Sequence, residues 1–129
     1  MKIRHFLSNV DHEAILGAIR QAEEKTTGKI HVYVSHHKVI DPFHAAGKHF
    51  SRLHMDRTPE RNAVLIFVAP KSHKFAILAD QGLHQKSDEK FWAGLADQMT
   101  EYFKRHELTA AITHAIRQAG QLLAEHFPR

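Results

Sequence analysis

Cysteine is absent from this 129-residue chain, so a disulfide framework, a thiol nucleophile and a zinc ribbon are all excluded. Long apolar runs are absent too. The longest, Ala63 to Ala69, falls far short of the roughly 20 residues a membrane-spanning helix needs. No signal-peptide core follows Met1-Lys2-Ile3-Arg4-His5, because Phe6 and Leu7 give way at once to Ser8 and Asn9. These absences predict a cytoplasmic protein. The sequence holds no phosphate-binding glycine loop, no dinucleotide fingerprint and neither of the common hydrolase motifs H-E-x-x-H and G-x-S-x-G. Repeats, linkers and low-complexity stretches are missing as well, and the length suits one domain with one core, residues 1–129.

Histidine, by contrast, is abundant. There are thirteen, about one residue in ten, and protonating them would add thirteen charges to a formal net charge of +4. Free imidazole titrates near pH ~6.5, so this surface changes charge steeply just below neutrality. The Lys and Arg residues are spread along the chain and are offset by nearby Asp and Glu, which argues against a nucleic-acid interface.

The hydrophobic pattern predicts the order of elements. Ser8 followed three residues later by Asp11 resembles a capping box, and Val10, Ala14, Ala18, Ile19 and Ala22 recur at helical spacing, giving a first helix from about Asn9 to Lys25. Ile30, Val32 and Val34 alternate with His31, Tyr33 and Ser35, the period of a strand with unequal faces that is not fully central. Asp41-Pro42 starts a second helix lined on one face by Phe43, Ala46, Phe50 and Leu53, and Pro59 bars its continuation. Ala63 to Ala69 is apolar on both faces, as a central strand is. The turn Pro70-Lys71-Ser72-His73 then leads into a third strand, Phe75 to Ala79, and so short a connection demands antiparallel pairing. Ser87 is the expected N-cap of a helix carrying Phe91, Trp92, Leu95, Met99 and Phe103, with Phe91 and Trp92 read as core. A last helix runs from about Thr109 until Phe127-Pro128 stops it. The order α-β-α-β-β-α-α defines an α/β fold, a single-domain three-layer α/β/α sandwich around a short mixed sheet.

That topology brings polar residues together at two poles. A parallel crossover between the first two strands and a hairpin between the second and third place Thr58, Glu60, Arg61 and Asn62 at the same end of the sheet as Asp80, Gly82 and His84. There Arg61 suits an anion clamp, Asp80 offers a carboxylate, His84 an imidazole, and Thr58 and Asn62 orienting hydrogen bonds. The same residues also suit the plain task of capping strand ends. The opposite pole holds His36, His37, Asp41, Lys71 and His73, but adjacent His36 and His37 on a strand point to opposite faces and do not share a metal. His44, His49 and His54 are spaced by five, not the three or four of a helical metal pair.

The segments Ala22-Glu23-Glu24, Thr27-Gly28-Lys29-Ile30, Thr58-Pro59-Glu60-Arg61-Asn62-Ala63-Val64-Leu65, Phe75 to His84, and Phe91-Trp92 resemble, in order and spacing, the TPM domain family over most of the chain. The resemblance is to the soluble, stand-alone branch, and it implies an α/β/α sandwich. It also implies one of several functions: an accessory or assembly role, acid phosphatase activity, or binding of a divalent cation such as calcium or magnesium. Two departures bear on the last. Where the family often has Gly-Glu-Ile this chain has Gly28-Lys29-Ile30, and where it has an acidic residue before Asn-Gly-Val-Leu this chain has Arg61. Calcium takes about six to eight oxygens, and Glu60 and Asp80 alone supply too few.

The leading expectation is thus a binding or accessory domain whose pole at Thr58, Arg61, Asn62, Asp80, Gly82 and His84 recognises a small anionic ligand or a protein partner, a membrane protein among the possible partners. The alternative is a phosphatase in which Arg61 holds phosphoryl oxygens, Asp80 is nucleophile or metal ligand, and His84 is the general acid. A third is a membrane-surface module using protonated histidines against anionic lipid.

Overall fold

The structure, a computed structural model, describes residues 10–129. Its elements are α1 (His12–Glu23), β1 (Lys29–Val34), α2 (Pro42–Arg52), β2 (Ala63–Ala69), β3 (Lys74–Ala79), α3 (Gln81–His84), α4 (Glu89–Lys104) and α5 (Leu108–His126), with 3-10 turns at Met55–Arg57 and Pro70–Ser72. The sheet order is β1-β2-β3, with β1 parallel and β3 antiparallel to β2. Every residue of β2 is buried, as its unbroken apolar run requires of a strand covered on both faces.

Side chains of alternate parity separate into two cores. Val64, Ile66 and Val68 meet Ile112, Ile116 and Leu123 of α5, Leu95 and Met99 of α4, and Ile15 of α1. On the other face Leu65, Phe67 and Ala69 meet Ala46 and Phe50 of α2, with Met55 and Ala76. One face of the sheet therefore carries three helices and the other carries one, which is the three-layer sandwich. On the single-helix side the His49 ring packs against Tyr33, with centroids 4.0 Å apart, and against Phe67.

Local chemistry moves several boundaries. Asp11 is the N-cap of α1, accepting from the Ala14 amide, so the helix starts at His12; Ser8 and Asn9 lie outside the described residues. Asp88, not Ser87, caps α4 through the Lys90 amide, while the Ser87 hydroxyl accepts from the Trp92 indole and donates to the His84 carbonyl. α5 starts at Leu108, one residue earlier than expected. In α2 only Ala46 and Phe50 are buried; Phe43 in its first turn and Leu53, the residue that caps its end, are exposed. Three histidines have a structural role that the sequence conceals: His54, His73 and His106 adopt left-handed backbone with φ near 55° at the ends of elements, a conformation in which His is enriched among residues with a side chain.

Candidate functional site

The pole at the start of β2 and the end of β3 is assembled as the topology demands. Asp80 is the N-cap of α3, its Oδ1 accepting from the Gln81 amide, and it closes the β3 end through its own amide to the Ala63 carbonyl. Arg61 grips the same carboxylate with both arms of its guanidinium, Nε to Oδ2 at 2.7 Å and Nη2 to Oδ1 at 2.9 Å. That hydrogen bond, first, and the nearby charges of Asp80 and Asp56 raise the Arg61 pKa against a smaller opposing effect of burial. Arg61 makes this bidentate fork from left-handed backbone, φ 51°.

Beneath the pair runs a second chain of bonds. The Asn62 amide donates to Thr58 Oγ1, Asn62 Nδ2 donates to Thr27 Oγ1, and the Thr27 hydroxyl donates to Glu60. Buried Thr26 donates its hydroxyl to the Phe127 carbonyl and accepts from the Gly28 amide, tying this end of the sheet to the end of α5. Gly82 must be glycine. Its amide donates to the Arg61 carbonyl, and a Cβ there would sit 2.1 Å from the Glu60 carbonyl oxygen and 2.6 Å from that of Arg61. Gly28 is similarly pressed against Leu123.

The predicted residues thus divide. Thr58, Glu60, Arg61, Asn62, Asp80 and Gly82 form one network whose polar groups satisfy one another, and no buried side-chain nitrogen or oxygen among the described residues lacks a partner. His84 does not join it. Its backbone follows Asp80 in α3, but the residue is exposed and lines a groove next to the cluster. For a divalent cation the donor set does not fit: Asp80 is held by a guanidinium and a backbone amide, Glu60 by a hydroxyl, and a permanent cation stands at the pole. Among the described residues no group of three or more His, Asp or Glu is placed to hold a metal ion.

The network predicts an asymmetry. Removing Asp80 leaves Arg61 exposed to water, so Asp80→Ala is expected to cost about 1 kcal/mol, essentially the lost helix cap. Arg61→Ala strands a carboxylate only 6% exposed and is expected to be the more destabilising of the two. Urea denaturation of both variants measures the order.

The groove has a volume of about 630 Å³. Its floor is the outer edge of β3, from Phe75 to Ala79; one wall is Phe43 of α2, the other is Trp92, Ala93 and Ala96 of α4, and Gln81, His84 and Glu89 close one end. Trp92 packs against the core as expected, but only in part: its indole is half-buried, donates to Ser87 at 2.8 Å, and its open side forms groove wall. Sequence reasoning passed over this groove. The available signal was small Ala93 and Ala96 beside Trp92, which leaves a shelf rather than a packed ridge.

The family model of the TPM domain matches residues 2–122. The NMR structure of the BA42 protein from the psychrophilic bacterium Bizionia argentinensis is similar at 33% identity, with a TM-score of 0.83 over 93% of this chain and 85% of that one. The N-terminal domain of the cg2496 protein from Corynebacterium glutamicum shares the fold, with a TM-score of 0.67 at 11% identity over 90% of this chain and 75% of that one. No curated protein matches the sequence. No helix among the described residues is long and apolar enough to cross a membrane. With a family match that spans nearly all of its length, and a fold built as that family's is, the chain belongs to the TPM domain family.

Proposed function

We propose that this TPM domain is a non-catalytic binding or accessory module of the cytoplasm that recognises an apolar segment of a protein partner in the groove between α2 and α4. The observation that carries the reading is the groove itself, about 630 Å³ lined by Phe43, Ile77, Trp92 and Ala96 with a few polar groups at one end, the make-up of a ligand site. The neighbouring polar cluster supports the reading by its closure. A phosphatase would need Asp80 free to attack or to ligate, and both its oxygens are engaged. Within this reading the cluster is a scaffold: the Arg61–Asp80 pair and the close approach at Gly82 fix α3, and α3 presents Gln81 and His84 to the groove.

Trp92 is the only tryptophan, so its emission reports groove occupancy without a label. A displayed library of random hexapeptides is to be selected against the native chain and against Ala96→Phe, which fills the shelf. Enriched peptides are expected to shift Trp92 emission of the native chain and to bind Ala96→Phe at least about tenfold more weakly, a loss of roughly 1.4 kcal/mol. Selection that yields no peptide preferring the native groove sinks the proposal. So does steady release of phosphate from model phosphomonoesters at about pH 4 to 8, with or without Mg²⁺ or Ca²⁺, that Asp80→Ala abolishes.

A further inference from the structure

The floor of the groove is a strand edge, and among the described residues its outward-facing backbone groups have no backbone partner. In the β2–β3 register Leu65 faces Leu78 and Phe67 faces Ala76, and the Asp80 amide bonds to Ala63. Antiparallel pairs alternate between bonded and non-bonded positions, so Lys74, Ala76 and Leu78 turn their amides and carbonyls toward β2. Phe75, Ile77 and Ala79 therefore turn theirs outward, and among the described residues no backbone group pairs with them. The edge of β1 differs: there the outward Ile30 amide is taken by the Glu23 carboxylate. Proteins commonly blunt such edges. Among the described residues nothing covers this one, and apolar side chains wall it.

From this geometry we infer that the groove binds its partner by strand addition: an extended apolar segment pairs antiparallel with β3 through Phe75, Ile77 and Ala79. The inference rests on the groove reading above and deepens it by naming the class of ligand and its mode of binding. Antiparallel pairing is the more stable per residue, and charge then sets the composition of the segment's ends. Lys71 stands in the turn that leads into β3, beside Lys74, whose ammonium donates to the Ile40 carbonyl, while Glu89, beside the acidic cap Asp88, stands where β3 ends. An antiparallel strand lays its C-terminal end beside the lysines, so the segment carries acidic residues there, and its side chains fall alternately toward Phe43 and toward the Trp92–Ala96 shelf.

The test uses the highest-affinity hexapeptide from the selection, with capped ends, N-methylated at each amide in turn and titrated against the native chain by Trp92 emission. Methylation at alternate amides is expected to weaken binding by about tenfold or more, and at the intervening amides by less than about threefold. Ala79→Pro, which deletes one outward donor and spares the bonds to β2, is expected to weaken the unmodified peptide by a similar factor. Lys71→Glu is expected to weaken peptides with an acidic C-terminal end and not their neutral counterparts. Sensitivity that does not alternate overturns strand addition while leaving the groove as a binding site, whereas failure of the selection removes the groove reading itself. The scan needs only native protein, so it decides even if Ala79→Pro does not fold. A dimer in sedimentation velocity that Ala79→Pro dissolves assigns the edge to a second copy and also overturns the proposal.

Discussion

Gly82→Ala is expected to destabilise the fold by about 3 kcal/mol and lower its melting temperature by about 10 °C. The new methyl would meet two backbone carbonyl oxygens, those of Glu60 and Arg61, at 2.1 and 2.6 Å. Neither oxygen belongs to a flexible side-chain tip. The Arg61 carbonyl accepts the Gly82 amide itself, so it cannot retreat without giving up that bond. Relief must come from α3 moving away from the β2 entry, and that motion pulls Asp80 off Arg61 and carries His84 out of the groove. Peptide binding should therefore fall along with stability. Gly94→Ala is the internal control. In α4 its Cβ meets nothing within 4 Å, and the same substitution there is expected to stabilise by about 0.5–1 kcal/mol through helix propensity. Thermal unfolding of the two variants should move in opposite directions; a Gly82→Ala protein that melts with the native one would mean that the close approach is not what fixes α3.

Which parts of this were legible beforehand follows from which signals are local. The run Ala63 to Ala69 can only be a strand covered on both sides, and a four-residue turn can only return antiparallel; those two facts order the sheet and bring Arg61, Asn62, Asp80 and Gly82 to one pole. That the pole's residues cap backbone groups was legible as one of two readings; the ion pair among them was not. Arg61 pairing with Asp80, and its left-handed backbone, depend on chain segments nineteen residues apart meeting at a fixed angle. The helix α3 spans four residues, too few to show a period, so the sequence offers Asp80 as the cap of a strand end and conceals the helix it caps. Trp92 packs on the core as expected, and the groove on its open side was not legible for a related reason. Periodicity shows which side of a helix is apolar, but whether a neighbour covers it depends on layer widths, and here a single helix on one face leaves the β3 edge and part of α4 uncovered.

The largest effect is expected at Phe67, in the thinner half of the sandwich. Its ring is about 1% exposed at the centre of β2, where it holds Tyr33 at 5.7 Å and His49 at 5.6 Å between ring centroids. Phe67→Ala removes that ring from a core that has only α2 as its cover, and is expected to cost about 4 kcal/mol, while Phe67→Leu, which keeps most of the volume, is expected to cost less than about 1.5. The loss has a second, titratable signature. Burial, then the charges of Arg52 and His31, hold the His49 pKa below the ordinary 6.5. The unfolded chain therefore takes up protons first as pH falls below about 6.5, and the His49 contribution erodes stability between that value and the lower folded pKa, while above it the imidazole is neutral in both states and contributes no pH dependence. Opening the cavity admits water to the ring and returns its pKa toward 6.5, so the gap in stability between native and Phe67→Ala proteins should narrow on going from pH 8 to pH 5. Denaturant midpoints at the two pH values and the NMR titration of His49 read this directly. A variant that loses stability with the His49 titration unmoved would show that Phe67 holds α2 by volume alone and does not set the environment of the histidine. If the titration does move, α2 is held through an aromatic stack that weakens with acid, and Phe43, the groove wall that α2 carries, loosens with it.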